Sequence, residues 1–171
     1  MRRTERSREA GFTLIEIIIV IVLIGILAIL AIPRFPEYPK AGVVSRRLLS
    51  DIRYAKELSV RFQNTGSNPC CGLYIINATS YRIFSNDNTS TAVKDPHTGT
   101  AMERTMTGKF SGVTLSHTLT GNILKFNSLG TPYEGSGAGT ALGAAESITV
   151  SGSGGPRTVT IEPNTGKVTG S

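Results

Sequence analysis

The amino-acid sequence predicts an α+β protein: a long N-terminal helical stem, its hydrophobic half transmembrane, followed by a mostly antiparallel, β-rich head. Three observations carry that expectation. Residues 12–32 form an apolar run broken by one charge, residues 40–64 place apolar side chains at helical spacing, and beyond residue 70 short β-type stretches alternate with Gly, Asn and Ser turns. The 171 residues suit one domain with a short appendage and leave no room for two independently folded enzymes. Hydrophobic residues make up 39% and charged residues 18%, enough apolar content for most of the chain to fold despite 19 glycines and eight prolines.

The run over 12–32 reads FTLIEIIIVIVLIGILAILAI. As a helix it would measure ~30 Å at about 1.5 Å per residue, the thickness of a bilayer core. Isoleucine and valine are mediocre helix formers in water, but lipid offers backbone groups no outside partner and enforces the helix. Arg2, Arg3, Arg6 and Arg8 precede the run. Basic flanks stay in the cytoplasm, so the N-terminus is expected inside and the chain after Ile32 outside. A cleaved secretory signal competes with this reading, but the run exceeds the usual apolar core of such signals, and the small-residue site ending at Ala31 is followed closely by Pro33. Glu16 is what a simple signal leaves unexplained. A charge at mid-bilayer costs roughly 2.5–3.5 kcal/mol, so its carboxylate needs a partner or must snorkel to the membrane edge. Gly25, Ala28 and Ala31 are small residues that permit close helix packing.

The stretch Gly11-Phe12-Thr13-Leu14-Ile15-Glu16 resembles the cleavage and methylation motif of type IV pilins and of the pseudopilins of type II secretion. The resemblance implies a prepilin leader over 1–11, cut after Gly11 by a prepilin peptidase, N-methylation of the new terminus Phe12, and a role in assembly for Glu16, fifth in the mature chain. It implies a single-pass protein of the bacterial inner membrane, N-terminus cytoplasmic and head periplasmic, whose partners are inner-membrane lipid before assembly and then other pseudopilins or pilins in a helical filament. Physical reasoning agrees with the assembly role: the ammonium at Phe12 and the Glu16 carboxylate of a neighbouring subunit are each expensive alone in an apolar core and neutralise one another as a pair.

Pro33, Pro36 and Pro39 predict a break over 33–39, since each removes a backbone donor and disfavours helix at the residue before it. From Lys40 to about Asn64, Val44, Leu48, Ile52, Ala55, Leu58 and Phe62 recur every three or four residues, with Arg46, Arg47, Asp51, Arg53 and Lys56 on the other faces: an amphipathic helix docked on a core. Thr65 to Pro69 supplies turn residues to end it. Strands are expected over 72–77, 81–85, 113–116, 123–127, 148–151, 158–162 and 167–169, with Pro163-Asn164-Thr165-Gly166 closing a final hairpin. Residues 133–145 read as loop. Residues 40–171 thus form the periplasmic head. LLSDIRYAKELSVRFQN, Cys71-Gly72-Leu73, Phe126-Asn127-Ser128-Leu129-Gly130 and TVTIEPNTGKV resemble one branch of the family, the H-type minor pseudopilin of type II secretion and the related FimT-type minor pilin. That likeness implies a place at or near the filament tip, where the head helps initiate assembly or contacts secreted cargo. Its alternative is a minor type IV pilin acting in pilus assembly or DNA uptake.

The residue inventory argues against an enzyme. His97 sits in the turn Asp95-Pro96-His97-Thr98-Gly99, His117 lies in a strand-like stretch, and neither has a nucleophile motif beside it. No catalytic residue, cofactor or metal is expected. Asp87 and Asp95 are the conceivable calcium ligands, but without a clustered acidic loop they read as turn formers. Cys70 and Cys71 leave three readings open: a strained vicinal disulfide, an intermolecular bridge, or two thiols of which one is buried. The formal charge is +6, of which about +4 remains once residues 1–11 are removed. DNA is disfavoured as a partner, because Gly154-Gly155-Pro156-Arg157 supplies one arginine where several phosphate contacts are wanted.

Overall fold

The computed structural model describes residues 12–30, 38–62, 71–86 and 88–171. The chain divides into two units, 1–36 and 37–171. In the first, α1 (Leu14–Leu30) begins where Thr13 provides a start signal: the Glu16 N–H reaches the Thr13 carbonyl at 3.1 Å and the Thr13 hydroxyl at 3.4 Å, a Thr-x-x-Glu helix opening. Phe12 and Thr13 therefore precede the helix, where the 12–32 reading had placed them inside it. Ala31 and Ile32 lie outside the described residues, as do Gly11, Pro33 and Pro36. Among the described residues no helix is long and apolar enough to cross a membrane; the 17 residues of α1 measure ~25 Å. Every side chain described from Phe12 to Ala28 is exposed.

The second unit is organised around α2 (Lys40–Arg61), with Pro39 as its N-cap, a position where a missing N–H removes no intrahelical bond. Ala41, Val44, Leu48, Ile52, Ala55 and Leu58 bury the expected stripe. Two expectations are corrected. Asp51 is not on a solvated face; it flanks Ile52 at the border of the stripe, is buried, and finds polar partners there. Phe62 is not on the stripe: at φ −83° and ψ 33° it caps the helix and stands 63% exposed, so α2 stops at Arg61 and not near Asn64. The expected turn at 65–69 lies outside the described residues.

Among the described residues ten strands follow: β1 (Cys71–Asn77), β2 (Ser80–Phe84), β3 (Glu103–Thr105), β4 (Thr114–His117), β5 (Ile123–Phe126), β6 (Pro132–Glu134), β7 (Thr140–Ala141), β8 (Glu146–Ser151), β9 (Arg157–Ile161) and β10 (Val168–Gly170). They form a six-stranded sheet, β3-β2-β1-β5-β6-β7, and a four-stranded sheet, β10-β9-β8-β4, with every pairing antiparallel. The Leu115 N–H joins one sheet to the other through the Ala78 carbonyl at 2.6 Å. In β8 and β9 burial alternates with a period of two, as one-sided packing dictates, whereas all four residues of β5 are buried. One core gathers Leu48 and Ile52 of α2 with Leu73, Ile83, Leu124 and Phe126 of the larger sheet and Ile148, Val159 and Ile161 of the smaller.

The seven expected strands are present with ends within two residues of those predicted, and the last two pair as a hairpin. The reading of 133–145 as loop is corrected, because β6 begins at Pro132 and β7 also falls there. These strands and β3 are two or three residues long, too short for alternation to mark them. The two tightest glycines are Gly72 and Gly166. A Cβ at Gly72 would lie 2.0 Å from the Leu124 carbonyl oxygen, where β1 crosses close to β5. In the last hairpin Gly166 combines φ +57° with a Gly130 carbonyl oxygen 2.3 Å from where its Cβ would sit.

Candidate functional site

The start of α1 places Phe12 and Glu16 together. Both line a shallow recess of about 290 Å³ with Ile17, Val20 and Ile21, residues 16, 17, 20 and 21 sharing one face of α1. Glu16 is the one charge of α1, in its first turn, where a carboxylate is favoured by the helix dipole and the Thr13 opening. Around it lies an apolar surface with no cover: Phe12 is 79% exposed, and a Cβ added at Gly25 would meet nothing within 4 Å. Chemically this is a carboxylate on the rim of an apolar face, suited to helix packing against an oppositely charged neighbour. Gly11 lies outside the described residues, so of the three expected processing and assembly positions the structure describes Phe12 and Glu16.

The head contains a polar network that its sequence did not announce. The Tyr81 hydroxyl donates to Asp51 Oδ2 at 2.9 Å, Arg104 Nε reaches the same oxygen at 3.4 Å, and another Arg104 nitrogen donates to Asp95 Oδ2 at 2.9 Å. Burial, and then the Asp51 carboxylate, push the Tyr81 hydroxyl well above its usual range. Burial alone would pull Arg104 down, but the Asp95 and Asp51 carboxylates outweigh it and hold the guanidinium above its ordinary value. Asp95 is held below the usual carboxylate range by the Arg104 hydrogen bond and then by the His97 backbone N–H, which donates to Oδ1 at 2.9 Å. Both Asp95 oxygens are thus engaged in a turn and an ion pair. Asp87 lies outside the described residues, and among those described no three His, Cys, Asp or Glu side chains gather as a metal site requires.

His97 is exposed in its turn, and His117 ends β4 with Nδ1 buried and without a hydrogen-bond partner among the described residues. Cys71 is buried at the start of β1 beside Leu58, its carbonyl accepting the Ser59 hydroxyl at 3.3 Å; Cys70 lies outside the described residues. Arg157 does not stand alone, as its loop had implied. It lines a groove of about 420 Å³ with Arg46 and Arg53 of α2. The missed signal is the spacing of Arg46 and Arg53, seven residues apart and therefore on one helix face.

Compared with protein families, residues 6–32 match the family described as the prokaryotic N-terminal methylation motif. The match holds the Gly11-Phe12 junction, Glu16 and the whole of α1, and it supports a type IV pilin-like or pseudopilin protein: a prepilin with a methylation motif. The motif implies processing by a prepilin peptidase and assembly with other pilins. No curated protein and no solved structure matches the chain.

Proposed function

We propose that this chain is a minor pseudopilin that assembles through α1 into the periplasmic pseudopilus of type II protein secretion, at or near its tip. The observation that carries the reading is Glu16, the one charge of an apolar helix that is exposed throughout its described side chains, one turn beyond Phe12 and inside the matched motif. In this reading the leader over 1–11 is removed, residues 12–32 hold the chain in the inner membrane with the head in the periplasm, and α1 then leaves lipid for the filament core. There the Phe12 ammonium meets a neighbour's Glu16, two charges costly apart in apolar surroundings. The resemblance of the head to the branch that holds the H-type pseudopilin and the FimT-type pilin supports a place at or near the tip, and a minor type IV pilin is the alternative to the secretion system. The work done is mechanical assembly, with secreted cargo as the contact of the head, and no residue is assigned to catalysis.

Intact-mass measurement of the membrane form tests the first step: the mature chain should begin at N-methylated Phe12, and Gly11→Val should leave the leader attached. A terminus after Ala31 would overturn the prepilin reading. Glu16→Ala should insert as well as the parent chain yet lose cross-linking to other pilins, whereas parental cross-linking would reduce Glu16 to a snorkelling side chain.

A further inference from the structure

Assembly through α1 leaves the arginine groove of the head without a role. Arg46 and Arg53 stand two turns apart on α2, ~10 Å along its axis, and Arg157 faces them from the start of β9. Arg53 donates to the Val168 carbonyl at 3.0 Å, which fixes its guanidinium to the groove wall and leaves further N–H groups to offer. The other lining residues are Pro39, Gly42, Val43, Ser45, Leu49, Gly170 and Ser171, so three cations face one space with no acidic side chain on its walls. The lining is apolar at Val43 and Leu49, and the space beside Gly42 is open, a Cβ there meeting nothing within 4 Å.

The occupant is not an added strand. The Lys167 carbonyl accepts from the Glu162 N–H just past β9 and the Ser171 N–H donates to the Thr158 carbonyl, so Val168 and Gly170 between them turn their backbone groups to the open edge, where Arg53 of α2 already holds the Val168 carbonyl. What fits is a compact anion with an apolar continuation. Guanidinium forks match phosphate oxygens, and the apolar lining suits the carbons beside them. Seven residues, 33–39, separate the apolar run from α2, and a chain of that length reaches at most ~25 Å, which keeps the groove within reach of the surface of any bilayer holding 12–32. We propose that the groove binds the phosphate of an anionic phospholipid headgroup while the chain is membrane-anchored. The proposal rests on the anchoring of 12–32 given above.

The test is calorimetric titration of the full-length chain in an uncharged detergent with dihexanoyl phosphatidylglycerol, a soluble anionic lipid. Affinity should exceed that for dihexanoyl phosphatidylcholine by roughly tenfold or more, fall as salt rises, and drop at least about tenfold in Arg46→Gln/Arg157→Gln. Arg61→Gln, outside the groove, should bind as the parent does. Equal affinity for the two lipids, or an unaffected double variant that retains the parent's circular dichroism, overturns the proposal. Inorganic phosphate or a short DNA duplex binding as tightly as phosphatidylglycerol also overturns it, assigning the groove to free phosphate or to nucleic acid. Because the lipid is soluble, binding does not depend on insertion. Alkaline extraction of membranes reports the anchor separately: release of the chain would remove lipid as the source, while retention with no lipid binding would defeat the groove alone.

Discussion

The two helices of this chain are stable for opposite reasons. In α1, 17 residues include one charge, side chains are exposed on every face, and the backbone is satisfied within the helix while the surface has no cover of its own. In α2, 22 residues include eight charges, and a narrow stripe is buried against both sheets. Short helices are marginal in water, and a buried face is what stabilises most of them. For α2 that face is supplied by the same chain. For α1 the described residues supply no such face, and in the proposed function lipid and then other subunits provide it, so the difference in covering, more than helical propensity, separates the two helices.

The largest effect that would sharpen this contrast is Ile52→Ala. Ile52 is fully buried on α2, and its truncation should cost about 2–5 kcal/mol in urea denaturation followed by circular dichroism. Ile19→Ala, on α1, should leave the head's transition where it was; an equal loss from both would break the comparison. A smaller effect is expected where α2 buries a charge. Asp51→Ala leaves the Tyr81 hydroxyl and Arg104 without their shared acceptor and should cost about 2–3 kcal/mol. Combined with Tyr81→Phe it should cost less than the two single changes added, by at least about 0.5 kcal/mol, and strict additivity would mean that the network is not coupled.

The smallest effect is confined to acid. Since the folded chain holds the Asp95 carboxyl below its ordinary value of about 3.8, the unfolded chain takes up the proton first on acidification. The stability this provides is complete above that value and disappears as pH falls through the lowered folded one. Asp95→Asn should therefore flatten the stability profile below about pH 4, and an unchanged acid limb would show that the Arg104 contact contributes nothing in solution.

Most of the head was legible because its signals are local. The stripe from Val44 to Leu58 needs only a period of 3.6, and the closing hairpin needs only Pro163 and Gly166 at the right offsets. What stayed hidden depends on residues far apart in the chain. Asp51 reads as a solvated charge until Tyr81 and Arg104 are brought to it, 30 and 53 residues later. Strand β3 has no pattern of its own and is ordered by pairing with β2. Arg157 looked solitary because its two groove companions are on α2. At the N-terminus the position was reversed: Glu16 stood out in the sequence because an apolar run tolerates so few charges, Phe12 through the motif around it, and the structure adds the Thr13 opening between them.

The bonds from α2 to the last hairpin also bear on the order in which the head can form. Lys56 donates to the Thr165 carbonyl at 2.7 Å and Arg53 to that of Val168, spanning 109 and 115 residues. Chains emerge from synthesis, and thread through membranes, from the N-terminus onward, so α2 arrives first and β9 and β10 last. Until then the side of its stripe that packs on the smaller sheet faces solvent. Closure over such sequence separations is slow, and a nascent chain stalled before Val159 would hold a sticky helix with half a seat. Completion of the head therefore waits on the arrival of β9 and β10.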